Sequence, residues 1–194
     1  GLLVTFLHLG NPINAPRALA NIGTSWLSRE ILLSLLFCVG GAVFAFLQWR
    51  KISTAQIRNG LALIVAVIGI VLVYSMSMVY RLFSIPAWDT LATQATFFLT
   101  TFLLGSLAMG AAFVANFWYI RRKSMDPKNV HYTMLATSLR WIALITIALL
   151  GLQFLVVPLY LGALGAAGTP ATVASIELIA QQQGLIFALR LALL

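Results

Sequence analysis

Long apolar runs separated by short polar links are the feature that most limits how this polypeptide folds. Four runs, at about 30–49, 59–80, 91–120 and 139–161, are long enough for a helix to cross the ~30 Å hydrocarbon core of a bilayer. Only 8% of the residues are charged and 61% are hydrophobic, whereas about a quarter of a soluble domain is charged. The sequence therefore predicts an all-α fold, a polytopic transmembrane helix bundle, and shows none of the short alternating segments of a β-barrel.

Both ends of the sequence are apolar, GLLVTFL at the start and GLIFALRLALL at the finish. Each is too short to span a bilayer, which takes about 20 residues. We therefore expect an internal fragment of a longer protein, with about four full spans and two truncated end spans. Residues 1–194 are expected to form a single transmembrane domain.

The basic residues predict the orientation in the membrane. Loops 49–58 and 121–130 hold seven lysines and arginines, whereas loops 8–29, 81–90 and 162–182 hold three. Because cytoplasmic loops are enriched in these residues, we expect the 49–58 face to be cytoplasmic and the other face periplasmic, in a bacterial inner (cytoplasmic) membrane. The net charge of +8 is then explained by basic residues that set the orientation in the membrane. The sequence has no basic stripe with interleaved aromatic residues, so nucleic-acid binding is not predicted.

The longest polar interruption in the first half of the sequence is HLGNPINAPRALANIGTSWLSRE, from His8 to Glu30. Pro12 and Pro16 break any helix there. Ser28 is a plausible N-cap for the following span, which places Glu30 in its first turn. His8 would end one span and Glu30 begin the next, on the same face of the membrane, so the two side chains can be close.

His8 and Glu30 are the residues most suited to chemistry. Oxidising a quinol removes two electrons and two protons, so a site needs a group that hydrogen-bonds the ring hydroxyl and takes a proton near neutral pH, as imidazole can. Glu30 would be a second proton acceptor. The simpler alternatives are a histidine that marks a helix end, and a glutamate stabilised by the helix dipole or paired with Arg29.

Other polar and aromatic residues on the same face are weaker candidates. Arg17 could bind a quinone oxygen, although a lipid headgroup is the more ordinary partner. Tyr80 and Trp88 fit an interfacial aromatic belt and could also stack on a quinone ring. Asp89 could cap the next helix or provide a proton exit.

The chemistry of haem and metal sites is not supported by the sequence. His8 and His131 are predicted at opposite faces, about 30 Å apart, so one haem cannot join them. A single cysteine, Cys38, excludes a four-cysteine iron–sulfur site.

Within the third span, Ser106 and Gly110 have the small-xxx-small spacing that allows two helices to approach closely.

The segment HLGNPINAPRALANIGTSWLSREI resembles the membrane anchor subunit of dimethyl sulfoxide reductase, and polysulfide-reductase-type anchors are looser relatives. The family has a His-Leu-Gly-x-Pro start and a Leu-Ser-x-Glu-Ile finish, which correspond here to 8–12 and 27–31. Similar motifs lie at Val79-Tyr80, Pro86-Ala87-Trp88 and Phe97–Thr100, and Arg190 also fits.

The resemblance implies eight spans without haem, an iron–sulfur subunit and a molybdopterin catalytic subunit docked on the periplasmic face, and oxidation of menaquinol in anaerobic electron transport. The family's quinol-site histidine and glutamate fall on His8 and Glu30. The family often has an arginine soon after the first proline; Asn14 occupies that position here, and Arg17 is nearby.

Two other functions stay open from the sequence. A secondary transporter or channel would show polar residues near span centres and broken helices in paired repeats, for which Gly40-Gly41 and Gly105–Gly110 are the only hints. A passive anchor would bind partner subunits without binding quinol.

Overall fold

The described part of the protein is helical throughout. A computed structural model describes residues 19–123, 132–179 and 184. Within these ranges there are five helices and no strands: α1 (Trp26–Arg50), α2 (Ala55–Val79), α3 (Leu91–Lys123), α4 (Tyr132–Ala167) and the short α5 (Pro170–Glu177). The predicted all-α fold is confirmed.

The four long helices are apolar and long enough to cross a membrane. Even α1 and α2, at 25 residues each, extend about 37 Å at 1.5 Å per residue, which exceeds the ~30 Å hydrocarbon core. The four full spans predicted from the sequence therefore correspond to four observed helices. The molecule is a multi-pass membrane protein.

The start of α1 differs from the prediction. The N-cap is Ser25, whose side chain accepts the backbone N–H of Ser28, and the helix begins at Trp26. Ser28 is buried inside the helix and is not its cap. Glu30 is consequently the fifth helical residue and lies beyond the first turn, so the proposed first-turn dipole stabilisation is wrong.

The fourth span also extends further than its apolar pattern predicts. Helix α4 begins at Tyr132, before the predicted span 139–161, and continues through Pro158 to Ala167. Pro158 does not end the helix. The segment after α4 contains α5, which Thr169 caps by accepting the backbone N–H of Thr172.

The protein divides into two compact units, one up to Leu82 and one from Phe83 onward. The expected single transmembrane domain stays a prediction. In the first unit, α1 and α2 form an antiparallel hairpin with a link of four residues. Arg58 closes this link, because its guanidinium donates to Gln48 Oε1 at 3.0 Å and to the carbonyl oxygen of Ser53 at 2.6 Å.

Two glycines allow α1 and α2 to pack closely. A Cβ added at Gly40 would lie 2.9 Å from Cγ2 of Val65, and one added at Gly69 would lie 2.9 Å from Cε2 of Phe37. Any side chain at either position would overlap the facing helix, so glycine is required for this backbone separation. The sequence hint at Gly40 thus has a packing explanation.

In the second unit, α3 and α4 pack antiparallel through small and hydroxyl residues. The hydroxyl oxygens of Ser106 and Thr146 are 2.9 Å apart, and a Cβ on Gly110 would be in ordinary contact with Ile142 at 3.5 Å. The predicted small-xxx-small contact at Ser106 and Gly110 is confirmed.

Candidate functional site

Glu30 is the predicted site residue that the structure describes most fully. It lies on α1 one turn inside the helix and is partly buried. Among the described residues, no hydrogen bond or ion pair engages its carboxylate. His8, which is predicted to lie close to Glu30, and Arg17, the predicted contact of a quinone oxygen or a headgroup, lie outside the described residues, so the proximity of His8 to Glu30 stays a prediction.

Arg29 is used by the turn before α1 rather than by its neighbour Glu30. Its guanidinium donates from Nε to the carbonyl of Ile22 at 2.8 Å and from Nη2 to that of Gly23 at 2.6 Å. The same group lies 4.3 Å from the centre of the Trp26 ring. The Arg29–Glu30 ion pair considered from the sequence is therefore not what holds Glu30, and Arg29 instead fixes the turn that leads into α1.

Trp26 connects this turn to α2. Its ring meets the Tyr74 ring edge-on, with centroids 5.7 Å apart and planes at 82°. Such T-shaped aromatic pairs contribute about 0.5–1.5 kcal/mol beyond the area they bury. Arg29, Trp26 and Tyr74 thus form a continuous contact at the N-terminal end of α1, which we call the Trp26 cluster.

The antiparallel register of the hairpin places further groups at the level of Glu30. In this hairpin Gly40 faces Val65, and Gln48 faces Arg58. The residue numbers of two facing positions therefore add up to 105 or 106. By this register Glu30 lies at the level of Ser75, and Tyr80 lies about five residues further out, or ~7 Å along the helix axis.

Serines are concentrated at this end of the hairpin. Ser75 and Ser77 are buried, with 1% and 0% of their surface exposed, and Ser28 is also buried. The Ser77 hydroxyl donates to the carbonyl oxygen of Tyr74 at 2.7 Å. Buried hydroxyls replace apolar side chains here, so the helix pair that carries Glu30 is more polar at this end than its overall composition suggests.

The apolar surface of α1 continues beside Glu30. Leu27 is one turn before Glu30 on the same helix face and is 54% exposed. Residues three apart on a helix are neighbours. A hydrophobic molecule in the membrane could therefore approach the carboxylate along Leu27.

Trp88 belongs to the second unit and Tyr80 to the first. Tyr80 is the C-cap of α2, and both aromatic side chains are partly exposed. The link that carries Trp88 is held to α4 because Tyr160 donates its hydroxyl proton to the carbonyl of Ala87 at 3.0 Å. Tyr80 thus lies at a helix end and Trp88 in the link that follows, and their role in an interfacial aromatic belt stays a prediction.

The start of α3 explains the local role of the polar residues after Trp88. The Thr90 hydroxyl accepts the backbone N–H of Thr93 at 3.3 Å, and the Thr93 hydroxyl donates to the Trp88 carbonyl at 2.7 Å. Thr90 therefore makes the N-cap interaction that the sequence suggested for Asp89.

Sequence reasoning missed Arg29 and Tyr74 as parts of this end of the hairpin. Arg29 was expected only as a partner of Glu30, and Tyr74 is one aromatic residue within a long apolar run. The hairpin register alone would not have found Tyr74, since it places Trp26 opposite residues near 79; the Trp26 ring reaches Tyr74 about five residues further along α2.

Comparison with known proteins identifies relatives for the first part of the sequence. A family model described as "DMSO reductase anchor subunit (DmsC)" matches residues 1–127, well over half of the 194 residues. No solved structure matches.

Two curated relatives are both the C subunit of an anaerobic dimethyl sulfoxide reductase. The protein is 36% identical to the one from Escherichia coli strain K12 over 109 residues, which is 55% of this sequence and 38% of that relative. It is 31% identical to the one from Haemophilus influenzae over 112 residues, 58% of this sequence and 40% of that relative.

A third relative, the YnfH subunit of an anaerobic dimethyl sulfoxide reductase of Escherichia coli, is 34% identical over 112 residues, which is 57% of this sequence and 39% of that relative. The matches thus cover about two fifths of the length of each relative. The family match extends over the polar segment, α1, α2 and α3. The protein therefore belongs to the dimethyl sulfoxide reductase anchor subunit family.

Proposed function

We propose that this protein is part of the membrane anchor of a dimethyl sulfoxide reductase-type complex, and that it binds and oxidises menaquinol at the N-terminal end of α1. Membership of the anchor subunit family supports the anchor role. The observation that carries the site is Glu30, a partly buried carboxylate one turn inside a membrane-span helix, with no partner among the described residues.

The physical argument starts from the energetic cost of this carboxylate. Ionisable side chains in a span are costly, and they normally pair or serve a function. The nearest cation in sequence, Arg29, is occupied by the carbonyl oxygens of Ile22 and Gly23. Glu30 thus stays available to accept a proton from a ligand that arrives from the lipid.

The chemistry follows from the balance of quinol oxidation. The quinol loses two electrons and two ring-hydroxyl protons to become quinone. His8 would accept the hydrogen bond of one ring hydroxyl and take its proton, because imidazole titrates near neutral pH. Glu30 would accept a proton and release it to water on the periplasmic side, while the electrons pass to an iron–sulfur subunit.

The hairpin supplies surroundings suited to such a substrate. Exposed Leu27 provides an apolar approach for the quinol and its tail. The Trp26 cluster holds the start of α1, and Tyr80 adds an exposed ring about one to two turns further out. Trp88 and Arg17 remain the further predicted ligand contacts, Arg17 with a headgroup as its alternative partner.

The proposed partners are an iron–sulfur subunit and a molybdopterin catalytic subunit on the periplasmic face of a bacterial inner membrane. The named relatives are subunits of anaerobic dimethyl sulfoxide reductases. This protein would then transfer electrons and dock the other subunits, and the reduction of the terminal acceptor would occur on another subunit.

The transporter alternative loses its two sequence hints. Helices α1 and α3 run without a break through Gly40-Gly41 and Gly105–Gly110. Gly40 faces Val65 and Gly110 faces Ile142, so these glycines serve helix packing. Discontinuous helices are what a transporter site would require.

The proposal is tested with His8→Arg and Glu30→Gln in the membrane-bound complex. Each variant is assayed with a menaquinol analogue and with a soluble artificial donor that reduces the catalytic subunit directly. We expect quinol-dependent turnover to be abolished for His8→Arg and slowed for Glu30→Gln, because the proton acceptors are lost, while donor-driven turnover stays at the parent level.

Equal loss with both donors would indicate failed assembly and is checked by the amount of complex in the membrane. Full quinol oxidation by a correctly assembled His8→Arg variant would refute the site. Titration with a quinol-analogue inhibitor separates the remaining alternative, since a passive anchor would show no binding that depends on His8 or Glu30.

A further inference from the structure

A shallow, open depression, which we call the groove, lies along one face of α3 toward its C-terminal end. The described residues that line it all belong to α3 and recur every three or four positions: Ala111, Val114, Ala115, Trp118, Tyr119 and Arg122. This spacing corresponds to a single face of a helix. Val114 is 47% exposed and Trp118 is 54% exposed, so the groove is open along its length.

The chemistry of the groove changes in one direction. Alanine and valine line the part nearer the middle of α3, two aromatic rings follow, and Arg122 lies at the end. Arg122 lies eleven positions after Ala111, which is about 16 Å along the helix and roughly half of a ~30 Å hydrocarbon core. The groove therefore matches the depth of one leaflet, with its aromatic rings where interfacial residues belong.

Arg122 presents a set of hydrogen-bond donors at this end. Its guanidinium carbon lies 4.0 Å from the centre of the Trp118 ring. Stacking on an aromatic ring occupies the face of a guanidinium and leaves the N–H groups at its edge able to bind an anion. Among the described residues, no hydrogen bond or ion pair takes up these donors.

The local charge selects the sign of the occupant. Arg121, Arg122 and Lys123 are consecutive, at the end of α3 that the lysine and arginine count predicts to be cytoplasmic. Phosphate oxygens suit arginine because charge-assisted hydrogen bonds are the strong ones. A zwitterionic lipid would also bring an ammonium group close to Arg122, whereas an anionic lipid such as phosphatidylglycerol carries no ammonium group.

We propose that this groove binds an anionic phospholipid of the inner leaflet. One acyl tail lies along Ala111, Val114 and Ala115, the glycerol region meets Trp118 and Tyr119, and the phosphate accepts hydrogen bonds from Arg122. This lipid site is independent of the proposed quinol site. Its residues lie on α3 at the end that is predicted to be cytoplasmic, whereas the quinol site is predicted at the periplasmic face.

The test compares two variants that remove the same charge. The intact protein is purified and reconstituted in phosphatidylcholine nanodiscs that contain a minor fraction of phosphatidylglycerol, and native mass spectrometry measures the phosphatidylglycerol retained. Arg121→Gln, which does not line the groove, removes surface charge only and should reduce retention about fivefold, the factor given by roughly 1 kcal/mol per basic residue at a membrane surface. Arg122→Gln removes the same charge and also the hydrogen bonds to the phosphate, so retention should fall by a further factor of about ten, as expected for a hydrogen bond to a charged group.

Equal effects of the two variants would overturn the proposal, because charge alone would then explain the binding. A photo-crosslinking amino acid at Val114 provides a second measurement in a protein that retains Arg122. An adduct with phosphatidylglycerol supports the lipid site. An adduct with another segment of this protein, a second copy or a partner subunit shows that protein covers the groove and refutes the proposal.

Discussion

The hydroxyl oxygens of Ser106 and Thr146 lie 2.9 Å apart and join α3 to α4. Each hydroxyl also donates to a carbonyl of its own helix, Ser106 to Leu103 and Thr146 to Ile142. Each hydroxyl has a single proton, so at any moment one of the two donates to the other hydroxyl while the other donates to its own carbonyl. Such interhelical bonds replace the hydrophobic driving force, which is weak between helices in lipid.

The first prediction concerns this pair. Ser106→Ala and Thr146→Ala should each destabilise the protein, and the double variant should lose less than the sum, with a coupling of about 0.6 kcal/mol as found on average between membrane helices. The free energy of unfolding of the three variants is measured in mixed detergent micelles. Thr101→Ala is the control, because its exposed hydroxyl donates only to Phe97 in its own helix; strictly additive losses would show that the pair is not coupled.

The second prediction concerns the two adjacent glycines of α1. Gly40→Ala should destabilise the α1–α2 hairpin by roughly 1–3 kcal/mol, the usual cost of overpacking, because the new methyl would meet Val65 at 2.9 Å. Valine has little freedom to rotate away in a helix. Gly41→Ala meets nothing within 4 Å and should be neutral or stabilising. Thermal unfolding in detergent gives the stability of both variants relative to the parent protein. Equal stabilities of Gly40→Ala and Gly41→Ala would contradict the observed packing.

The third prediction concerns Arg29. Arg29→Gln removes two donor bonds to the turn at Ile22 and Gly23 and the contact with Trp26. Because these bonds are solvent-exposed, we expect a loss of only about 1 kcal/mol in the free energy of unfolding. Hydrogen exchange of residues 22–26 should accelerate, while exchange around Arg58 stays at the parent rate. Unaltered exchange at 22–26 would mean that Arg29 does not hold the turn.

The fourth prediction concerns the proton role of Glu30. If this carboxylate accepts a quinol proton, the rate of quinol oxidation should rise with pH as the carboxyl loses its own proton. Glu30→Gln cannot titrate, so that rise should disappear from its pH–rate profile. Glu177→Gln, an exposed carboxylate on α5, is the control and should keep the parent profile. An unchanged profile for Glu30→Gln would count against a proton role.

The number of spans could be predicted from the sequence because long apolar runs leave few alternatives to membrane helices. The helix ends could not, and the start of α1 shows the reason. Ser25 and Ser28 are both good capping residues, and in the structure Ser25 is the cap while Arg29 holds the preceding turn. A side-chain bond to the carbonyls of a turn has no signature in the apolar pattern.

The packing contacts were predictable to different degrees. Ser106 and Gly110 have the recognised spacing of a helix contact and do make one. A proline often ends a helix, yet α4 continues past Pro158, as membrane helices permit. Tyr74 resembles any other aromatic residue of an apolar run in the sequence, and its contact with Trp26 is visible only in the folded hairpin.

The closure of the first hairpin by Arg58 has a consequence for biosynthesis. All of its bonds reach back at most ten residues, so the turn can form as soon as the ribosome has delivered the first residues of α2. Insertion of α1 and α2 as a preassembled pair would then leave no open loop at the membrane surface, and later spans would meet a completed helical hairpin.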